Sequence, residues 1–230
     1  GTTSGAAGGA VVGGGVVQQV PYSVSHAQLP PKRREVYRIP RGALSRPAAG
    51  AKDDVRRAHG EESRFEAQLA YAASCKRGEI AARAEAAARS GQRVCIFTGR
   101  RRDVAALQAT LVKLLPPGVP LFAIDGDTPS AAREAAIVDY GRAACGAVVV
   151  ATGDTLGEGI DGLQVTDLAI IAQIPWTPRQ VEQYEQRFWR LGLLHPVTIL
   201  YLVAEGTVDE HVADALVDKL PAVAAVTGSG

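Results

Sequence analysis

The sequence predicts an α/β fold: a three-layer lobe with a mostly parallel central sheet and helices on both faces. Two patterns lead there. Short apolar runs lack polar alternation, as strands buried on both faces do, and stretches with helical periodicity separate them. The runs are Val94–Phe97, Leu121–Ile124, Ala147–Ala151, Leu168–Ile174 and Val197–Val203. Helices fit at about 102–115, 130–140, 155–158, 178–191 and 207–219.

The helix starts carry their own signals. Thr128-Pro129 and Thr177-Pro178 each place a capping hydroxyl before a proline suited to the first helical position. Thr207 and Glu210 are spaced as a capping box, and this reading is preferred to a metal-binding acidic box at Asp209-Glu210-His211. Upstream, residues 1–20 are Gly/Ala/Val-rich and read as a linker whose Val pairs can add a short strand. Residues 21–60 are rich in Pro, Gly and basic residues, with one strand expected at Glu35–Ile39. From Glu61 the spacing of Phe65, Leu69, Ala72 and Ala73 predicts a helix. A second helix is expected from about Glu79 to Ser90, with Gly91 as its stop.

Composition bounds the function less tightly. The 25 basic and 24 acidic residues nearly cancel, which does not exclude a nucleic-acid partner, because such charge concentrates on one face. Cys75, Cys95 and Cys145 lack metal-ligand spacing and read as small core residues in a reducing compartment. No apolar run approaches the ~18 residues a membrane helix needs, so no membrane partner is expected. The sequence contains no Met, which predicts a processed or excised chain.

In an open α/β sheet, ligands collect beyond the carboxyl ends of the strands. The runs are followed there by Thr98-Gly99-Arg100-Arg101-Arg102, Asp125-Gly126-Asp127-Thr128, Thr152-Gly153-Asp154 and Pro175-Trp176-Thr177-Pro178. Thr and Gly let a phosphate approach the backbone, helix N-termini offer free N–H groups, and the arginines add charge. Each loop alone is ordinary turn chemistry; four along one edge favour a ligand. Further on, Val181, Tyr184, Phe188 and Leu191 form a core stripe on a helix. Gln183, Arg187 and Arg190 form a second stripe, and two unpaired guanidiniums one turn apart call for carboxylate or phosphate partners.

Taken together these segments resemble a known family. QYEQRFWRLG (183–192) resembles motif six of superfamily-two helicases, in the variant of the Snf-type DNA translocases. GEGID (157–161) is similar to motif five, QIPWTP to the Trp-x-Pro segment, CIFTGRRRDV to motif four, and DGDTPSAARE to the segment with an Arg after a Gly-containing loop. LPPKRREVYRI (29–39) resembles the stretch that passes from lobe one to lobe two. The resemblance covers about residues 29–220 in the family's order. It implies 1–60 as linker and inter-lobe crossing segment and 61–230 as the C-terminal, second RecA-like lobe.

The resemblance implies that Arg187 and Arg190 reach the γ-phosphate of ATP as catalytic groups, with Gln183 beside them and Gly159 and Asp161 near the ribose. Thr98, Gly99, Arg100, Gly126, Arg133 and Thr152 are expected along the nucleic-acid backbone, with Trp176 a candidate for stacking on a base. The implied ligands are ATP and Mg²⁺, held mainly by an N-terminal RecA-like lobe of the same parent chain. The implied track is double-stranded DNA, with RNA an alternative. The sequence departs from the Snf pattern at Asp161, Trp189 and Leu193. It contains no G-x-x-x-x-G-K-[ST] loop, so the chain alone is expected neither to hydrolyse ATP nor to bind it tightly. Two other readings stay open: a strand-separating RNA or DNA helicase lobe, and a non-catalytic binding module on the same fold. High Ala, Gly and Arg content predicts a bacterial or phage origin and a cytoplasmic, nucleoid-associated protein.

Overall fold

A computed structural model describes residues 17–19, 30–153, 155, 162–190, 193 and 195–215. Strand β1 (Val17–Gln19) is antiparallel to β2 (Lys32–Ile39), and every other pairing is parallel. The remaining strands are β3 (Arg93–Thr98), β4 (Leu121–Ile124), β5 (Ala147–Thr152), β6 (Leu168–Ile171) and β7 (Val197–Ala204). They lie in the order β1-β2-β7-β6-β3-β5-β4. The helices are α1 (Ala51–Arg57), α2 (Glu61–Arg89), α3 (Arg101–Leu114), α4 (Ser130–Arg142), α5 (Pro178–Phe188) and α6 (208–215).

The unalternating runs are apolar because both faces of the sheet are covered. All six residues of β5 are buried. Cys95 and Phe97 of β3 join one core with Ile137 and Tyr140 of α4, Val181 and Phe188 of α5, and Val212 of α6. Val94 and Ile96 point the other way, into a second core with Ile80 and Ala84 of α2 and Leu107 and Leu111 of α3. Burying an aromatic such as Phe97 or Phe188 stabilises the fold by about 1.5–3 kcal/mol each.

Several elements differ from the sequence reading. The two helices expected over 61–90 are one helix of 29 residues. Gly78 marks a close approach instead of a break: its N–H donates to Ser45 Oγ at 3.0 Å, and a Cβ there would lie 2.5 Å from that oxygen. Gly91, at φ +85°, does end the helix in the left-handed conformation. Thr128 does not cap α4, because its hydroxyl turns back to Asp125, accepting from the N–H at 3.0 Å and donating to Oδ1 at 3.2 Å. Thr177 does cap α5, accepting from Gln180 N–H at 3.2 Å, with Pro178 opening the helix. Thr207 accepts from Asp209 N–H at 3.2 Å, and Glu210 reaches back to Gly206 N–H at 2.8 Å, one residue short of the expected box.

β2 begins three residues earlier than expected and pairs along its whole length with β7, so the segment before residue 60 contributes a strand to the central sheet. β6 stops at Ile171, three residues early, where Ala172 N–H turns to Phe97 C=O at 2.9 Å. The helix expected at 155–158 lies outside the described residues except for Thr155. Cys75 and Cys95 are buried, but Cys145 is exposed and is not a core residue. Among the described residues no helix is long and apolar enough to cross a membrane.

Candidate functional site

At the carboxyl edge, the order β6-β3-β5-β4 sets four loops side by side. Gly153 N–H donates to Thr98 C=O at 3.1 Å, joining the loops after β5 and β3. Arg133 of α4 bridges two more, donating to Thr155 C=O at 3.1 Å and Thr128 C=O at 3.2 Å. Arg101 forms an ion pair with Asp127, and a Cβ on Gly126 would lie 2.9 Å from the Arg101 guanidinium. A Cβ on Gly99 would strike the Gln173 side chain at 1.9 Å, and one on Gly153 would strike the Tyr184 hydroxyl at 2.0 Å. These glycines permit the close packing of loop on loop.

The edge therefore gathers Thr98, Gly99, Gly126, Arg133 and Thr152. Thr98 and Thr152 are themselves buried: Thr98 Oγ1 donates to Arg100 C=O at 3.3 Å, and the Thr152 hydroxyl pairs with that of Thr155. Any ligand there meets loop backbone and arginine before it meets those hydroxyls. Arg100 turns away from its neighbours, bonding Glu66 C=O at 2.5 Å and pairing with the Glu66 carboxylate at 3.2 Å. Trp176 is 52% exposed and meets Phe65 edge-to-face, centroids 4.6 Å apart. Both contacts are made by the first turns of α2.

α5 leaves this edge after Thr177 and, as the crossover between parallel β6 and β7, carries the chain about 16 Å back toward the amino edge. Gln183 is exposed, and Arg187 in the last turn is half-buried. Arg190 is half-buried and follows the helix end, since α5 stops at Phe188 and Trp189 is non-helical (φ −104°, ψ 85°). The two arginines are thus not one turn apart on a single helix face. They sit at the opposite end of α5 from the loop set. Gly159 and Asp161, with Leu191 of the expected core stripe, lie outside the described residues.

What the sequence reading missed is the residue between these groups. Glu185 was left off both stripes, yet it is 0% exposed. Its carboxylate accepts from Lys32 Nζ at 2.6 Å, from Arg34 Nε and Nη2 at 2.6 Å each, and from the Tyr201 hydroxyl at 2.8 Å. Burial works against its charge, but the Arg34 hydrogen bond and the charges of Lys32 and Arg34 outweigh that and hold its pKa below the ordinary value. Burial lowers the Lys32 pKa, although Glu185 opposes this; burial and the Glu185 charge push Tyr201 well up. Lys32 Nζ also lies 4.5 Å from the centre of the Trp189 ring, and Trp189 Nε1 donates to Pro30 C=O at 2.8 Å. The basic run at 32–34 and a glutamate amid apolar helix positions were the available signals.

A second buried pair joins α2 to the first turn of α6. Lys76 Nζ lies 2.6 Å from Asp209 Oδ2 and donates to Leu202 C=O at 2.8 Å. Asp209 is therefore committed to an interior contact.

Comparison with known proteins bears on this geometry. Residues 79–192 match the helicase conserved C-terminal domain. The chain is 33% identical over 104 residues to SWI/SNF-related matrix-associated actin-dependent regulator of chromatin subfamily A-like protein 1 of Xenopus laevis, covering 44% of this chain and 10% of that protein. It is 31% identical over 142 residues to Protein CHROMATIN REMODELING 19 of Arabidopsis thaliana, covering 62% of this chain and 18% of that protein. To DNA excision repair protein ERCC-6 of Mus musculus it is 30% identical over 124 residues, covering 54% and 8%. A crystal structure of the C-terminal part of the Fun30 ATPase domain is similar at TM-score 0.48 and 20% identity, covering 54% of this chain and 38% of that chain.

Residues 79–192 match a helicase C-terminal domain, and the chain resembles the second RecA-like lobe of a superfamily-two helicase. Within that class it resembles the Snf-type translocases. It spans about a tenth of the length of the Xenopus relative. The expectation of a bacterial or phage, cytoplasmic protein is corrected by these relatives, which are eukaryotic chromatin and repair proteins. Ala, Gly and Arg enrichment reports nucleotide composition, not lineage.

Proposed function

We propose that this lobe serves an ATP-driven DNA translocase, supplying arginines to the nucleotide and part of the track to DNA. The observation that carries the reading is the pair of partly exposed arginines, Arg187 and Arg190, at the end of α5 within the helicase C-terminal match. ATP is the substrate, and the arginines would stabilise charge on the transferring phosphoryl group, an effect typically worth about 10³–10⁵ in rate. Gln183, Gly159 and Asp161 belong to the same nucleotide-facing set. Mg²⁺ would be held mainly by the first lobe and the phosphates of its substrate.

The carboxyl-edge loops would follow the nucleic-acid backbone. Backbone N–H groups and Arg101, Arg133 and Arg100 make contacts that are salt-sensitive and largely blind to sequence. The family relatives' names, chromatin remodelling and excision repair, favour DNA over RNA as that track. The Walker A loop would come from an N-terminal lobe of the same parent polypeptide.

The test is ATP hydrolysis by the intact two-lobe protein, with and without duplex DNA, beside its Arg190→Ala variant. DNA-stimulated turnover that falls about a thousandfold in the variant is expected, with no measurable turnover from the 230-residue chain alone. Stimulation only by RNA or single strands would move the assignment to a strand-separating helicase. Absence of turnover under every condition would leave a binding module on the helicase fold.

A further inference from the structure

The segment 30–34 and the end of α5 are separated by more than 150 residues, yet four contacts join them. Lys32 and Arg34 meet the Glu185 carboxylate, the Lys32 ammonium lies over the Trp189 ring, and Trp189 Nε1 holds the Pro30 carbonyl. Tyr201 of the neighbouring strand donates to the same carboxylate, so its Oε1 and Oε2 are both engaged. A buried charge with every lone pair used has one geometry, and leaving it costs several kcal/mol. Glu185 lies two residues before Arg187, and Trp189 lies immediately before Arg190. The clamp thus grips the backbone on either side of the first arginine and directly before the second.

We propose that Glu185 and Trp189 are positioning residues. Through Lys32, Arg34 and Pro30 they lock the arginine-bearing end of α5 to the start of β2, so that the two move as one body. This rests on the reading of Arg187 and Arg190 as nucleotide-facing. Because Pro30, Lys32 and Arg34 lie at the start of β2, any displacement of that segment is passed through Trp189 and Glu185 to the end of α5. The relevant consequence is kinetic. An arginine that is present but misplaced by an ångström lowers the rate of the chemical step while leaving substrate affinity largely to groups elsewhere.

The test compares Trp189→Phe and Glu185→Gln in the intact two-lobe protein, reading kcat and KM for ATP with saturating duplex DNA, and the unfolding midpoint of each variant. Trp189→Phe removes the bond to Pro30 and leaves the buried ion cluster, so it is expected to fold. A fall in kcat of about tenfold or more, with KM and unfolding midpoint held, is the expected result. A folded Trp189→Phe protein with wild-type kcat would overturn the proposal. Should Glu185→Gln fail to fold, Trp189→Phe decides alone. Should the wild-type protein show no DNA-stimulated turnover, the nucleotide reading falls and this inference falls with it. Loss of turnover in Arg190→Ala beside unaltered turnover in Trp189→Phe removes the positioning role only.

Discussion

At the carboxyl edge of the sheet Arg100 and Arg101 each pair with one carboxylate and reach water, whereas toward the amino edge one carboxylate without solvent contact is shared by two cations and a phenol. Arg101 and Asp127 have side chains 57% and 73% exposed; Glu185 has none. The two regions obey different electrostatics. Exposed pairs gain little, because water and salt screen them and long side chains lose freedom. The buried group is not a large net source of stability either, since desolvation offsets most of its attraction. Its asymmetry matters more: breaking it is far costlier than never having had it. The open edge can exchange its partners for water and ions, and the closed cluster cannot.

The sharpest way to break this contrast is to remove the shared carboxylate. Glu185→Ala is expected to destabilise the chain by about 3–5 kcal/mol in urea unfolding, because two buried cations lose their counter-charge. A loss below 1 kcal/mol would mean the cluster relaxes into water. Replacing Lys32, Arg34 and Glu185 together by apolar residues of similar volume should restore most of that loss.

Next in size is Gly153→Ala. Its Cβ would meet the Tyr184 hydroxyl at 2.0 Å, and Tyr184 is wedged edge-on against Phe97 at 5.1 Å. About 1–3 kcal/mol of destabilisation is expected, measurable by thermal unfolding. An unchanged midpoint would show that the loop is free to move off α5.

Acid provides a gentler probe. Because the folded pKa of Glu185 lies below its unfolded value, its contribution is complete above about pH 4.3 and is lost as pH falls through the folded value. Stability measured from pH 7 down to pH 3 should fall steeply at the acid end, and Glu185→Gln should flatten that limb. The smallest stability effect belongs to the open edge. Arg101→Gln should change unfolding by less than about 0.5 kcal/mol, yet reduce the salt dependence of duplex binding by about one charge. An unaltered salt slope would take Arg101 off the track.

The sheet was legible from the sequence because burial on both faces leaves unbroken apolar runs, and β4 was located to the residue. The carboxyl-edge loops were legible for the same reason: a strand's end announces where its loop must lie. Thr128 misled because its hydroxyl makes a loop contact with Asp125 that local propensity does not encode. Glu185 was invisible for a deeper reason. A charged residue on a helix is assigned to water unless its partners are known, and Lys32, Arg34 and Tyr201 arrive from β2 and β7. The end of α5 at Phe188 was missed because the apolar stripe continues in sequence past the point where Trp189 turns out of the helix.

The single 29-residue α2 has a mechanical meaning. At about 43 Å it is roughly twice as long as β3 beneath it. Its alanine-rich later half is bedded on the sheet and α3, and Lys76 rivets its middle to the first turn of α6. The first turns reach Trp176 and Arg100 at the carboxyl edge. From Lys76 to its first turn the helix extends about 23 Å, so a rotation of roughly 5° about that anchor would move the tip by about 2 Å. The helix is therefore a rigid tie: through Phe65 and Glu66 it connects the carboxyl edge to the core that holds its other end.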